Sequence, residues 1–223
     1  MDAKVTIPKP KNISLAQAAT LGVGADTACL GIFNGLNVPL FNPDNPSAAK
    51  DEWALVLGGA SSVGNFAVQI LKAAGYKVVA TCSTNSFQLL KALGADASVD
   101  YKKSQPEVIS ELLSITNRNL TRAYDAVAMN NELITVLYDE LKDVSPKYFT
   151  TTGDLSSLSI APHFTSHSVL GPIGRPGNDK LNSDLNSFIR IIVKLVETGK
   201  LAPSEMLEMG SGNIDDPVEA WKL

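Results

Sequence analysis

The sequence predicts a doubly wound α/β domain, a parallel sheet with helices on both faces. Three observations carry that expectation. Short apolar, β-branched runs alternate with amphipathic stretches from residue 51 onward. Glycines stop the first two helical stretches, at Gly75 and Gly94. The first apolar run, Trp53-Ala-Leu-Val-Leu57, enters a glycine–serine turn, Gly58-Gly59-Ala60-Ser61-Ser62-Val63-Gly64, that passes directly into a helix.

Residues 1–50 form a lead-in. The first thirteen are polar and proline-containing, so extended. Ser14-Leu-Ala-Gln17 has the spacing of a capping box and starts a helix. Gly22 and Gly24 are expected to interrupt it before an apolar stretch, Thr27–Phe33, and residues 35–50 read as a proline-rich loop. Residues 51–223 form the dinucleotide-binding Rossmann-type domain. After the turn, a helix over 63–74 places Phe66, Ala67, Ile70, Leu71 and Ala74 on one face. Strand Lys77–Thr81, helix 85–93 and strand Ala97–Tyr101 follow. Helix 106–115, strand Ala123–Ala128, helix 132–141 and strand Lys147–Thr151 continue the alternation, and Ser166–Leu170 is a sixth, edge strand. The last helix, 181–197, carries Leu185, Phe188, Ile189, Ile192 and Val196 in one stripe and stops at Gly199.

The chain has 223 residues, 44% hydrophobic, enough for a single sizeable core. A net charge of −4 without a basic block argues against a nucleic-acid partner. Two cysteines with no C-x-x-C, and no apolar signal or membrane-length segment, fit a cytoplasmic protein without zinc.

The turn is the chemical centre of the sequence. Glycine permits tight bends, and the exposed N–H groups and dipole of the following helix favour a diphosphate. Gly59 and Gly64 occupy the outer positions of the G-x-G-x-x-G fingerprint, and Ser61 replaces the middle glycine. No acidic residue lies between Gly64 and Asp96, where an NAD site carries one for the ribose hydroxyls. The second strand ends instead in Thr81-Cys82-Ser83-Thr84-Asn85. Ser83 and Asn85, with Tyr101 or Lys91, suit a 2′-phosphate, so NADPH is the expected cofactor. Ser83 or Asn85 as a simple helix cap is the alternative.

No conventional catalytic set is visible. His163 and His167 lack a third ligand and read as structural. Asp154, after the fifth strand, sits where such domains open their cleft and is an acid–base candidate or a turn former.

Together, Gly58–Gly64, Gly75–Ser83, Leu93-Gly-Ala-Asp96 and Val99-Asp-Tyr101 resemble medium-chain dehydrogenase/reductases. They are most similar to the zinc-independent quinone oxidoreductases and the trans-acting enoyl reductases of fungal polyketide synthases. Ile13–Gly24 resembles that family's entry to its cofactor domain. The resemblance implies a reductase that transfers hydride from NADPH to an activated C=C or quinone of an apolar small molecule in fungal-type secondary metabolism. It implies that Thr27 lies near the nicotinamide and that backbone at Leu170-Gly171 faces the carboxamide. It also implies dimerisation by strand pairing near His167–Leu170, and a polyketide synthase as partner. Family members carry a β-rich catalytic domain before the segment that opens here, and Asp215–Trp221 resembles the start of the return to it, so that domain is expected to be missing. A redox-inactive enzyme that cyclises or isomerises an apolar substrate, or a non-catalytic synthase partner, is the alternative.

Overall fold

A computed structural model describes residues 5–45, 47–155, 165–168 and 178–204. Six parallel strands form one sheet: β1 Trp53–Leu57, β2 Lys77–Cys82, β3 Ala97–Asp100, β4 Leu120–Asp125, β5 Tyr148–Thr151 and β6 Thr165–Ser168. Their spatial order is β3-β2-β1-β4-β5-β6. The order reverses between β1 and β4, which makes the carboxyl ends of those two strands the switch point at which ligands bind in such sheets.

Seven α-helices are described: α1 Leu15–Ala19, α2 Gly22–Cys29, α3 Ser62–Ala73, α4 Phe87–Ala92, α5 Gln105–Ile115, α6 Asn131–Glu140 and α7 Asp179–Glu197. They divide between two cores. Alternate residues of each strand face opposite ways. Ala54 and Val56 of β1 and Val78 and Ala80 of β2 join Phe66, Ile70 and Leu71 of α3 and Phe188, Ile192 and Leu195 of α7. Leu55, Leu57 and Val79 face the other way, onto Val108 and Leu112 of α5 and Ile134 and Leu137 of α6. Both faces are covered, so the strands read as continuous apolar runs rather than alternating ones.

The lead-in packs into the first core through Val5, Leu21, Ala25, Ile32 and Leu36. The Ser14 box forms as expected, Oγ accepting from the Gln17 N–H and the Gln17 side chain accepting from the Ser14 N–H.

Four sequence expectations are corrected. Gly22 and Gly24 do not break the helix: α2 begins at Gly22 and runs into a π-helical segment, Leu30–Gly35. A Cβ on Gly24 would come within 2.8 Å of Ser62 Oγ and 3.0 Å of the Phe66 ring, so the glycine serves the packing of α2 on α3. The fourth strand is Leu120–Asp125 rather than 123–128, because Thr121 and Arg122 are buried polar residues that read as a loop. Burial is tolerated since Arg122 donates to Glu52 and the Leu36 carbonyl and stacks on Tyr76 and Tyr148. The helix expected over 85–93 is a 3₁₀ turn, Thr84–Ser86, followed by the shorter α4. The sixth strand is Thr165–Ser168, and Val169 and Leu170 lie outside the described residues.

Candidate functional site

The glycine turn is held from below by β2. The Gly58 N–H donates to Thr81 Oγ1 at 3.0 Å and the Gly59 N–H to the Thr81 carbonyl at 2.8 Å. Gly58 has φ +74°, a conformation that glycine adopts without strain. Ser61 caps α3, its Oγ accepting from the Gly64 N–H at 3.0 Å. The N–H groups of Ser62 and Val63 precede any intrahelical acceptor, which leaves them for an anion.

Two of the glycines answer to the protein rather than to a ligand. A Cβ on Gly64 would lie 2.1 Å from the Gly58 carbonyl oxygen, so only glycine lets α3 close onto the turn. A Cβ on Gly59 would meet Ala80 Cβ at 2.8 Å. Substituting Gly59 therefore disturbs the core as well as any diphosphate.

Beside the turn, at the carboxyl ends of β1 to β4, lies a cleft of about 590 Å³. Gly58, Ala60 and Ser61 form one side, Ser83, Ser86 and Tyr101 another, and Val127, Met129 and Asn130 a third. Lys103 is the one charged residue among the described lining residues.

The third wall is built by Asp125, which sequence reading placed inside a strand. It ends β4, is fully buried, and accepts four hydrogen bonds: from the N–H groups of Val127 (3.1 Å), Met129 (3.0 Å) and Asn130 (2.9 Å), and from Asn130 Nδ2 (2.9 Å). This collects the loop into one shape and presents Met129, 85% exposed, and Val127 as an apolar lip.

The structure brings together Gly58, Ser61, Ser83 and Tyr101 in the cleft, with Gly59, Ser62, Val63 and Gly64 in or just behind the turn. Asn85 is exposed and outside the lining, and Lys91 is exposed on α4. Thr81 tethers the turn. Asp154 is exposed after β5, its carbonyl accepting from Asn131 Nδ2, and does not line the cleft. Leu170, Gly171 and His163 lie outside the described residues. Half-buried His167 places Nδ1 3.3 Å from Thr150 Oγ1. Burial, and then the charge of Lys180, hold its pKa below the usual value.

Thr27 is buried in α2, and its carbonyl accepts from the Tyr124 hydroxyl at 2.7 Å. Its neighbour Asp26 was missed. This side chain is also buried, its Oδ1 has no hydrogen-bond partner among the described residues, and desolvation pushes its pKa up to about 7. A carboxylate inside an otherwise apolar helix is the signal that would have found it. A second groove, of about 840 Å³, lies on the other side of the turn, where Ala60 and Ser62 meet Thr20, Val23 and Gly24. Among the described residues, no group of three His, Cys, Asp or Glu side chains is placed to hold a metal. No helix among them is long and apolar enough to cross a membrane.

Against known proteins, the family described as zinc-binding dehydrogenase matches residues 62–141. The trans-enoyl reductase phm4 of Pyrenochaetopsis sp is 34% identical over 99% of this chain and 63% of that protein. The enoyl reductase component lovC of lovastatin nonaketide synthase from Aspergillus terreus is 29% identical over 94% of this chain and 61% of that one. Over these residues the chain is similar to zinc-binding dehydrogenases and to trans-enoyl reductases. It spans between 36% and 63% of the length of the curated relatives named here and of a zinc-type alcohol dehydrogenase-like protein of Schizosaccharomyces pombe. The fold agrees. An alcohol dehydrogenase superfamily protein from Novosphingobium aromaticivorans superposes with a TM-score of 0.68 at 22% identity, covering 91% of this chain and 57% of that one. The CurK enoyl reductase superposes with a TM-score of 0.67 at 21% identity, covering 92% and 58%.

Proposed function

We propose that this chain holds NADPH for a reductase acting on the activated C=C or quinone of an apolar small molecule, in secondary metabolism of the fungal type. The observation that carries the reading is the cleft beside the capped turn, with donors on its walls and no carboxylate among its described lining residues. The relatives' names, trans-enoyl reductase and enoyl reductase component, supply the reaction class.

The residues suit the cofactor part by part. Ser62 and Val63 offer N–H groups to the diphosphate, and Gly58 takes the positive φ that shapes the turn around it. Ser83, Ser86, Tyr101 and Lys103 face a ribose phosphate. The apolar edges of Val108, Val127 and Leu133 suit an adenine ring. When bound, the cofactor supplies a hydride from its nicotinamide. The protein's part is to fix that ring and exclude water. We assign Thr27 to the nicotinamide end, where the Tyr124 hydrogen bond fixes its backbone. By the same reading a polyketide synthase is the partner, and the outer edge of β6 is the dimer contact.

Calorimetric titration of the chain with NADPH and NADH tests the reading. Saturable binding with NADPH preferred supports it and is followed by a screen of enones and quinones for NADPH oxidation. Absence of binding by either dinucleotide overturns it and turns the search to redox-neutral chemistry.

A further inference from the structure

We infer that the second groove, over the outer face of α3, is a binding site for an uncharged apolar molecule that carries a hydroxyl group. The inference goes beyond the dinucleotide reading and stands apart from it. Among the described lining residues, the groove and the first cleft share Ala60 alone.

The groove is preformed. Thr20 and Val23 make one side, Leu89 of α4 and Leu93 just beyond it another, and Pro203 and Ser204 a third. The third side is tied to α3 by a side-chain amide: Gln69 accepts from the Ala202 N–H at 2.6 Å and donates to the Ala202 carbonyl at 3.3 Å. It is tied to the first side as well, because Thr20 Oγ1 accepts from the Ser204 N–H at 3.1 Å. A volume of about 840 Å³ is that of a small-molecule site.

The floor has the polarity of a hydroxyl receptor. Ser62 and Asn65 stand three positions apart on α3, so they share a face. Gly24 leaves room for the Ser62 hydroxyl, since a Cβ there would come within 2.8 Å of its Oγ. Asn65 is only 9% exposed, and its Nδ2 donates to Ser204 Oγ at 3.0 Å. Its Oδ1 has no hydrogen-bond partner among the described residues. A buried acceptor in that condition favours a ligand that brings a donor. One ligand hydroxyl can donate to Asn65 Oδ1 while accepting from Ser62 Oγ. A ketone can only accept, and an ammonium can only donate. Charge is disfavoured in either sign, because no charged residue stands among the described lining residues to pair a desolvated ion. The apolar body of the ligand lies against Leu89, Leu93 and Val23, and it covers Val23, which is 74% exposed.

The test is titration of the full chain with 1-octanol, 2-octanone and octanoate, followed by ligand-observed NMR. Saturable binding is expected in that order, with the ketone about fivefold and the anion at least about tenfold weaker than the alcohol. Val23→Asp puts a charge on the groove wall at an exposed position. It should leave thermal melting near the parent value and weaken 1-octanol at least about tenfold. Ser62→Ala should weaken 1-octanol and 2-octanone about threefold and leave octanoate unmoved, and it reports on the site even if Val23→Asp fails to fold. Absence of saturable 1-octanol binding, equal affinities for the three probes, or an affinity indifferent to both variants overturns the assignment. NADPH titration of the parent and of Val23→Asp keeps the two readings separate. Absence of NADPH binding with 1-octanol binding retained overturns the dinucleotide reading alone, and the reverse result overturns this site alone.

Discussion

Asp26 and Asp125 are the same residue, both buried, in two regions that use a carboxylate in opposite ways. At the end of β4, Asp125 meets four donors, and the loop that walls the cleft is shaped around it. In α2, one oxygen of Asp26 meets none, and burial drives the group toward its neutral form. The contrast teaches that burial alone does not fix what a carboxylate does. Convergent N–H groups make a buried charge an organiser, and without them the same burial stores a cost.

The sharpest way to break this comparison is Asp125→Ala. Its removal strands three backbone N–H groups and one amide, so a loss of about 3 kcal/mol in denaturant unfolding is expected, together with collapse of the Val127–Met129 lip. NADPH affinity should fall about tenfold or more as the cleft wall loses its shape. A variant with unchanged stability would mean that the loop is held by its own sequence.

Asp26→Asn should act in the other direction. The folded pKa stands at about 7, above the usual 3.8, so the folded protein holds its proton more tightly than the unfolded chain. Wild-type stability is then greatest below the lower value, declines as pH rises between the two, and is level above about 7. The variant should be about 2 kcal/mol more stable at pH 8, less than the full linkage because a buried amide also wants partners, and the gap should close toward pH 4. A gap that does not change with pH would show that Asp26 does not titrate in this range.

Ser61→Asp probes the turn itself. Aspartate caps a helix as well as serine does, so stability should move by less than about 0.5 kcal/mol. The added charge, however, stands where a diphosphate would sit, and NADPH affinity should fall at least about tenfold. Retained affinity would place the diphosphate elsewhere. This variant is a cleaner probe than any change at Gly59, whose missing side chain makes room for Ala80.

The sequence by itself determined the β/α alternation, the glycine–serine turn and the cap of α1. Those features depend on neighbours within a few positions: hydrophobic period, glycine conformational freedom, and a serine three residues before a Gln. It also carried the absence of an acidic residue after the fingerprint, and with it the expected cofactor. Only the tertiary structure decided the rest. Arg122 reads as a loop residue until Tyr76, Tyr148 and Glu52 surround it, which is why β4 begins three residues before its expected start. Gly24 reads as a helix breaker until α3 packs against it. Asp125 reads as one more strand position until the chain turns and offers its N–H groups. Lys103 is distant in sequence from Ser83, and a parallel sheet sets the ends of β2 and β3 side by side. Local propensity is written in adjacent residues, whereas burial, donor convergence and cleft composition are properties of segments that meet only after folding.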